Sequence, residues 1–522
     1  MISLTNFPVL AKEKSNDVGT SYYIDSVNGS DSSAGTSEDE AFASLSKINS
    51  MTLTEGDHVY LKNGSTFNEQ LKPKGKGTED NPIVITHYGE GEDLPVINGG
   101  GKIYDGAVNN TSSAVLIENM EYVEISYLEV TNDDVFNKTD SNSDPDNIKG
   151  NNQRRIGIHI TINEDVDTFT ENQRAWKGIT VSHCYVHDVD GDEQRSANKV
   201  NGGIGVEVFF RNSNAVYPYF DCVTLDSNKI EKVDRTGIKG VRLTELTLKD
   251  TDGGDSVRYN AVRAESEKNQ AGRNFVVKNN ELSNIGGDGI LIDSTIKSVV
   301  EHNVLYDHTK RSTLANAGIW CWNTQDVCFQ YNESYGGPSY NQDGCSYDCD
   351  YNSSGTIYQY NYSHDTPMGF MLLMGGNEMD IVRYNISQND GTAWRHFSAD
   401  SSTKSYIYNN AFYYDGAKWK WSEGNDSESI RKNYEFINNV FYNYNEETPT
   451  HWGENMNWND AVFESNAVYE ASGKHGENEI PDAVYGDPQF VNPGSGETKS
   501  WESLDGYQLK DNSSLIKVLM FI

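Results

Sequence analysis

Residues 329–337 read FQYNESYGG, residues 358–365 read YQYNYSHD, and residues 382–390 read VRYNISQND. Each phrase places an Asn after a few alternating residues and starts a second alternating run directly behind it. The same phrase recurs along the second half of the chain. Its Asn residues are Asn280, Asn303, Asn332, Asn361, Asn385, Asn410, Asn439 and Asn466, separated by 23, 29, 29, 24, 25, 29 and 27 residues, with Asn228 as an earlier member.

A period in the mid-twenties with short strands matches one turn of a three-sided parallel β-solenoid. One coil cannot bury its inward side chains, but stacked coils can, at a spacing of ~4.8 Å. The repeat therefore predicts an all-β, parallel β-helix of at least eight coils, with the Asn series stacked at one corner. An antiparallel sandwich with chance Asn spacing is the alternative, and so many regular members disfavour it.

Composition limits the partners of the chain. A net charge of −36 over 522 residues disfavours nucleic-acid binding, because such a surface repels phosphates. No stretch approaches the ~18 apolar residues of a membrane span. The six cysteines form no metal-binding spacing. We expect buried reduced thiols, with a bridge between coils, such as Cys321 with Cys345, as the alternative.

The two ends of the chain carry a family resemblance. The front holds Tyr22–Asp31 (YYIDSVNGSD), a helix candidate over Ala41–Ile48, and strand candidates over Gly56–Lys62 and Asn81–Gly89; the back holds GDPQFVNP from Gly486. These blocks and the coils resemble the pectin-lyase-like right-handed parallel β-helix proteins, which are mostly secreted carbohydrate-active enzymes. The resemblance implies a short N-terminal helix cap and a secreted or cell-surface location. We expect one continuous domain, with the cap and first coils over 1–115 and the β-helix over 116–522.

The strands after the Asn turn predict which side chains face outward. Side chains alternate along a strand, so the second and fourth residues after each Gly or Ala should point out of the coil. One outward column then reads His159, Glu207, Lys239, Leu291, Trp320, Ser346, Met371 and Arg395, and the other reads Thr161, Phe209, Val241, Asp293, Trp322, Asp348, Leu373 and Phe397. Aromatic residues beside carboxylates are typical of a sugar-binding groove, although loops could equally cover them as a satellite core. We expect Trp320, Trp322, Glu207, Asp293, Asp348 and Arg395 to be reachable from one concave face.

Acidic residues are densest at 341–350, NQDGCSYDCD. Asp348 and Asp350 lie two apart on one strand, so both should face outward, roughly 6–7 Å apart. Paired carboxyls at such separations suit a glycoside hydrolase, in which one acid protonates the leaving oxygen and another carboxylate acts beside it. Asp348 is the first candidate, with Asp350, Asp343, Glu207 or Asp293 as partner; turn formation is the alternative role for these acids. Candidate substrate contacts are Trp320, Trp322, Asp343, His364 and His159.

Two other functions stay open. The resemblance also implies a Ca²⁺-dependent polysaccharide lyase, in which carboxylates hold the cation and Lys239 or Arg395 takes a proton from a uronic acid. The chain lacks a tight run of Asp around Lys239, which weakens that reading. A non-catalytic glycan-binding or adhesin protein would use the same groove. The hydrolase needs no cofactor, and a polysaccharide or oligosaccharide is the expected partner; the sequence does not indicate an oligomeric state.

Overall fold

The computed structural model describes residues 18–133, 154–164, 175–192, 199–210, 218–245, 271–339, 343–374, 377–396, 404–416, 420–424, 434–447, 449–450, 461–473 and 480–515. These residues form a parallel β-helix whose coils each add one strand to up to three sheets. All pairings between the strands of the three sheets are parallel, which confirms the predicted fold class.

Within the described residues, the first sheet has sixteen strands. They are Ser21–Ile24, His58–Lys62, Ile83–Tyr88, Val123–Ser126, Ala175–Ser182, Tyr219–Asp226, Gly272–Arg273, Val276–Lys278, Thr295–Ile296, Val299–Glu301, Cys328–Gln330, Ile357–Gln359, Ile381–Arg383, Ser405–Tyr408, Tyr434–Ile437 and Val462–Glu464. The second sheet has fourteen. They are Thr66–Phe67, Val96–Asn98, Glu129–Asn132, Tyr185–Val189, Lys229–Val233, Glu281–Ile285, Val304–Tyr306, Glu333–Tyr335, Tyr362–His364, Ile386–Gln388, Ala411–Tyr414, Val440–Asn443, Ala467–Glu470 and Val484–Tyr485.

The third sheet, called the site sheet below, has ten strands in the described residues. They are Thr111–Glu118, Arg154–Asn163, Gly202–Phe210, Thr236–Glu245, Ile290–Asp293, Ile319–Trp322, Tyr347–Cys349, Met371–Leu373, Thr392–His396 and Lys420–Gly424. The helical segments are Leu45–Ser50, which is the expected N-terminal helix begun four residues late, and short 3₁₀ turns at Glu38–Glu40, Val108–Asn110 and Trp501–Tyr507. None of the described helices is long and apolar enough to cross a membrane.

The predicted Asn series stacks at the corner between the first and second sheets. Each amide nitrogen donates to the side-chain oxygen of the next Asn, as from Asn280 to Asn303 at 2.9 Å and from Asn332 to Asn361 at 3.0 Å. The chain of bonds runs without a break from Asn228 to Asn466. Each Asn also bonds a backbone carbonyl of the coil before, as Asn280 does with Leu225 at 3.0 Å. From Asn228 to Asn466 the ladder thus satisfies buried polar groups at this corner of each coil, which confirms the predicted corner.

The inward side chains fill the coil with stacked apolar groups. Phe329 lies on Tyr358 with ring centroids 4.4 Å apart, and Phe412 lies on Phe441 at 5.2 Å. Such ladders follow from in-register parallel pairing, which places equivalent side chains on successive coils. All six cysteines are free, and four of them are buried, whereas Cys222 is exposed and Cys328 is half-buried.

Four residues of the predicted outward columns point inward instead. Ser346 is one of them, because its hydroxyl bonds Thr366, Ser363 and the carbonyl of Ser334 inside the coil. Val241 packs in the core because the strand pairing shifts by one residue between Gly205 and Glu207, where a bulge at Gly240 changes the alternation. Met371 and Leu373 also belong to the core, since Asp348 pairs with Leu372 and Cys349 with Leu373. The errors at Val241, Met371 and Leu373 are one-residue slips, which exchange the two faces of a strand. Phe397 lies outside the described residues.

Candidate active site

The outward face of the site sheet brings several predicted residues into one row. Parallel pairing joins each member to the next across neighbouring strands. The row is Lys239, Leu291, Trp320, Asp348, Leu372 and Arg395. A neighbouring row places Asp293 against Trp322. Asp350 lies next to this row, because its backbone N–H donates to the carbonyl oxygen of Cys321 at 3.1 Å.

Most of this face is covered. The exposed fraction is 5% for Trp320, 2% for Asp348 and 3% for Lys239, while Glu207 is fully buried. Trp322, Asp343, Asp350 and Arg395 are half-buried. The expectation that all six groove residues present open surface is therefore wrong for most of them. Trp320 and Trp322 nevertheless point out of the coil, because both pack outside the main core with Leu291 and Ala317.

Asp343, Asp348 and Asp350 form an acid cluster. Burial raises the pKa of Asp348 well above its ordinary value, and the neighbouring Asp350 and Asp343 raise it further. Burial likewise raises the pKa of Asp350 to about 7 and that of Asp343 to about 6. Among the described residues, Oδ1 of Asp348 has no hydrogen-bond partner. The cluster therefore holds protons near neutral pH, so that acid and carboxylate forms coexist in one place.

Arg395 supports this cluster through the backbone. Its Nη1 donates to the carbonyl oxygen of Asp343 at 2.5 Å, and its charge lowers the pKa of the Asp343 carboxyl against the effect of burial. Arg395 stands in the row opposite Leu372, two strands beyond Asp348. This contact gives Arg395 a positioning role toward the segment that carries Asp343.

Lys239 and Asp293 form a buried ion pair. The ammonium donates to Asp293 Oδ2 at 2.6 Å, and Ser294 donates to the other carboxylate oxygen at 2.7 Å. Burial lowers the pKa of Lys239, although Asp293 opposes that effect. The exposed fraction of the side chain is 4% for Lys239 and 5% for Asp293. The pair is thus buried on the outward face of the site sheet, where Lys239 begins the row that continues to Trp320.

Glu207 and His159 lie at the early end of the same face. Arg154 donates to Glu207 Oε2 at 2.6 Å, and His159 Nε2 lies 3.2 Å from that oxygen while its Nδ1 contacts Ser113. Burial would raise the pKa of Glu207, but Arg154 and His159 bring it below its ordinary value. Burial lowers the pKa of His159. Glu207 is consequently a carboxylate fixed in place by Arg154 and His159, and its strand lies four strands from that of Asp348 in the site sheet.

His364 does not join these residues. It ends the strand Tyr362–His364 of the second sheet, where its ring stacks on Tyr335 at 4.5 Å. Burial lowers the pKa of His364, but bonds to Asp365 and Glu333 outweigh it and raise the value to about 9. The structure thus places this predicted substrate contact on a different face of the coil from the acid cluster.

Two site residues were missing from the sequence predictions. Asp288 is buried and accepts from the indole of Trp320 at 3.1 Å, and Lys199 places its ammonium 4.4 Å from the centre of that ring. Because the Lys199 ammonium lies over the Trp320 ring, Trp322 is the one of these two tryptophans that retains exposed surface. Neither residue stands at an outward column position, so the alternation rule could not find them. The described residues contain no group of three or more His, Cys, Asp or Glu side chains arranged to hold a metal ion.

Comparison with known proteins places these features beside glycosidases. No protein-family model matches the chain. The chain is 31% identical over 470 residues to the lacto-N-biosidase of Bifidobacterium longum subsp. longum; the alignment covers 80% of this chain, which spans only 29% of the length of that relative.

Solved structures similar to this chain also include lacto-N-biosidases. The crystal structure of the GH136 lacto-N-biosidase from Eubacterium ramulus, as its selenomethionine derivative, matches with a TM-score of 0.64 and 25% identity, covering 86% of this chain and 67% of that one. The native crystal structure of that enzyme gives a TM-score of 0.60 over 76% and 64%. These likenesses confirm the predicted resemblance to carbohydrate-active β-helix proteins, and the chain is related to glycoside hydrolases within that fold.

Proposed function

We propose that this chain is a glycoside hydrolase that releases lacto-N-biose from a glycan. The 31% identity to a lacto-N-biosidase over four fifths of this chain carries the proposal. The acid cluster supports it independently, because hydrolysis of a glycosidic bond needs one protonated and one ionised carboxyl beside the scissile bond. A neutral glycan also suits a surface with a charge of −36, which would repel a polyanion.

Exposure favours Asp343 and Asp350 as the reacting pair. Both are half-buried, whereas Asp348, the first choice from the sequence, keeps 2% of its exposure. A sugar can contact a carboxyl only where some of its surface is open. Asp348 then acts as the buried neighbour that holds a proton, since burial and the charges of Asp350 and Asp343 raise its pKa.

The chemistry follows from that shared proton. One carboxyl of the pair donates its proton to the departing glycosidic oxygen as the bond to the anomeric carbon breaks. The other, as a carboxylate, stabilises the positive charge that develops on the sugar. It either bonds to the anomeric carbon, in an intermediate that water then hydrolyses to free the sugar and the carboxylate, or takes a proton from the water that attacks that carbon. Trp322 offers the apolar surface against which a sugar ring can stack.

A substrate panel tests the proposal. We expect the chain to release nitrophenol from the nitrophenyl glycoside of lacto-N-biose, and to be at least ~100-fold slower on nitrophenyl glycosides of its single sugars, because remote binding energy is used to accelerate the reaction. Cleavage of a uronic acid polymer to unsaturated products, stopped by a chelator, would instead establish the lyase. Binding of the disaccharide with no cleavage of any glycoside would establish a glycan-binding protein.

A further inference from the structure

Lys199 reaches far along the site sheet from its own coil. It precedes the strand Gly202–Phe210, yet its Nζ lies 4.4 Å from the ring centre of Trp320, three strands further on. The ammonium also donates to the carbonyl of Ala315 at 3.1 Å and lies 3.3 Å from Asp288 Oδ2. These contacts anchor the far end of a long flexible side chain.

Asp288 connects this ammonium to the site. It is fully buried and accepts at Oδ1 from the indole of Trp320 at 3.1 Å and from the backbone N–H of Ala317 at 3.2 Å. Its Oδ2 lies 4.0 Å from the guanidinium of Arg235. One carboxylate therefore orients both Lys199 and Trp320, and Trp320 pairs directly with Asp348 on the next strand.

We propose that Lys199 is a positioning residue whose anchored ammonium determines how many carboxyls of the acid cluster are ionised during glycoside cleavage. The proposal rests on the proposed function. The positive charge of Lys199 lowers the pKa of Asp343, Asp348 and Asp350 against the effect of burial. Asp288 acts in the opposite direction and raises the pKa of Asp343. Among the described residues, the charged and titratable groups that interact with Lys199 or Asp288 include Arg235, Lys239, His308, Asp343, Asp348 and Asp350.

Two substitutions should move the pH–rate profile in opposite directions. Lys199→Met keeps the aliphatic stem and removes the charge, so both limbs should move up by about 0.5–1 pH unit. Asp288→Asn keeps an oxygen for the indole and removes a negative charge, so the profile should move down. Lys199→Arg restores the charge and should keep the profile of the original protein.

The matched control is Lys62→Met. Lys62 also lies over an aromatic ring, 4.7 Å from the centre of Tyr88, but on the first sheet. This variant should leave the pH–rate profile unchanged. A general loss of packing would lower the rate of Lys199→Met and Asp288→Asn without moving their profiles apart.

Thermal unfolding between about pH 4 and 7 gives a readout that needs no activity. A carboxyl whose pKa is raised by folding binds more protons in the folded state, so stability falls as the pH rises through that range. Lys199→Met raises these pKa values further. Its unfolding temperature should therefore be lower than that of the original protein, and this difference should grow as the pH rises.

The outcomes separate the two proposals. If no glycoside is cleaved but the pH-dependent difference in unfolding temperature is present, the proposed function fails and the influence of Lys199 on the carboxyls stands. If the difference between Lys199→Met and the original protein is the same at every pH, this inference is overturned, even if lacto-N-biose is released. Profiles of Lys199→Met and Asp288→Asn that move in the same direction would overturn it as well.

Discussion

Replacing Asn332 by Ala should destabilise the coil stack by an amount that the Asn ladder itself determines. The amide of Asn332 donates to Val300 O at 2.9 Å and to Asn361 Oδ1 at 3.0 Å. Its oxygen accepts from the backbone and side chain of Asn303 at 3.1 Å and 2.9 Å. The site is fully buried, so water cannot replace these bonds. Four bonds of ~1 kcal/mol each predict a loss of about 4 kcal/mol in the free energy of unfolding.

Urea unfolding followed by circular dichroism measures this loss. The matched control is Asn68→Ala, because Asn68 is exposed and accepts a single bond from Asn98 at 3.0 Å. That control should cost less than about 0.5 kcal/mol, as surface substitutions usually do. A loss for Asn332→Ala as small as that of the control would contradict this prediction, because it would mean that the Asn ladder adds nothing to stability and that the stacked core alone holds the coils together.

Three further predictions concern the site. The pH–rate profile should be bell-shaped and highest between about 6 and 7, because Asp343 and Asp350 have pKa values of about 6 and about 7 and the reaction needs one of them ionised; a flat profile from pH 5 to 9 would contradict this. Arg395→Ala should lower kcat by ~10–100-fold because Asp343 is misplaced, and Arg395→Lys should retain part of the kcat that the Ala variant loses. An unchanged kcat in Arg395→Ala would contradict the positioning role of Arg395. Dialysis against a chelator should leave the rate unchanged, since hydrolysis by two carboxyls uses no metal, and restoration of a lost rate by Ca²⁺ would favour the lyase.

The architecture was predictable because one residue type, Asn, marks the same corner of each coil from Asn228 to Asn466. The Asn ladder is visible in sequence since each member must sit at the same corner and satisfy the same buried groups. Alternation also assigned Trp320, Trp322, Asp293 and Asp348 to the outward face. These assignments needed only local geometry, which short strands retain whatever lies around them.

The errors arise where the chain departs from regular alternation. A bulge at Gly240 turns Val241 inward, and a one-residue difference in register turns Met371 and Leu373 inward. Gly240 is a sequence signal for the bulge that the alternation rule does not use, since an isolated Gly inside a strand is typical of a bulge. The covering of the site face, and the arrival of Lys199 and Asp288 beside Trp320, depend on contacts between coils distant in sequence. Periodicity within a coil carries no information about such contacts.

The most direct test of the account is the rate at which Asp343→Asn and Asp350→Asn release lacto-N-biose from its nitrophenyl glycoside. Both substitutions are nearly isosteric and remove one titratable group from the half-buried pair. We predict that each lowers kcat by ~100-fold or more while the circular dichroism spectrum and unfolding temperature stay close to those of the original protein. Full activity in either variant, with a loss only in Lys239→Ala, would contradict the assignment of glycoside hydrolysis to these carboxyls.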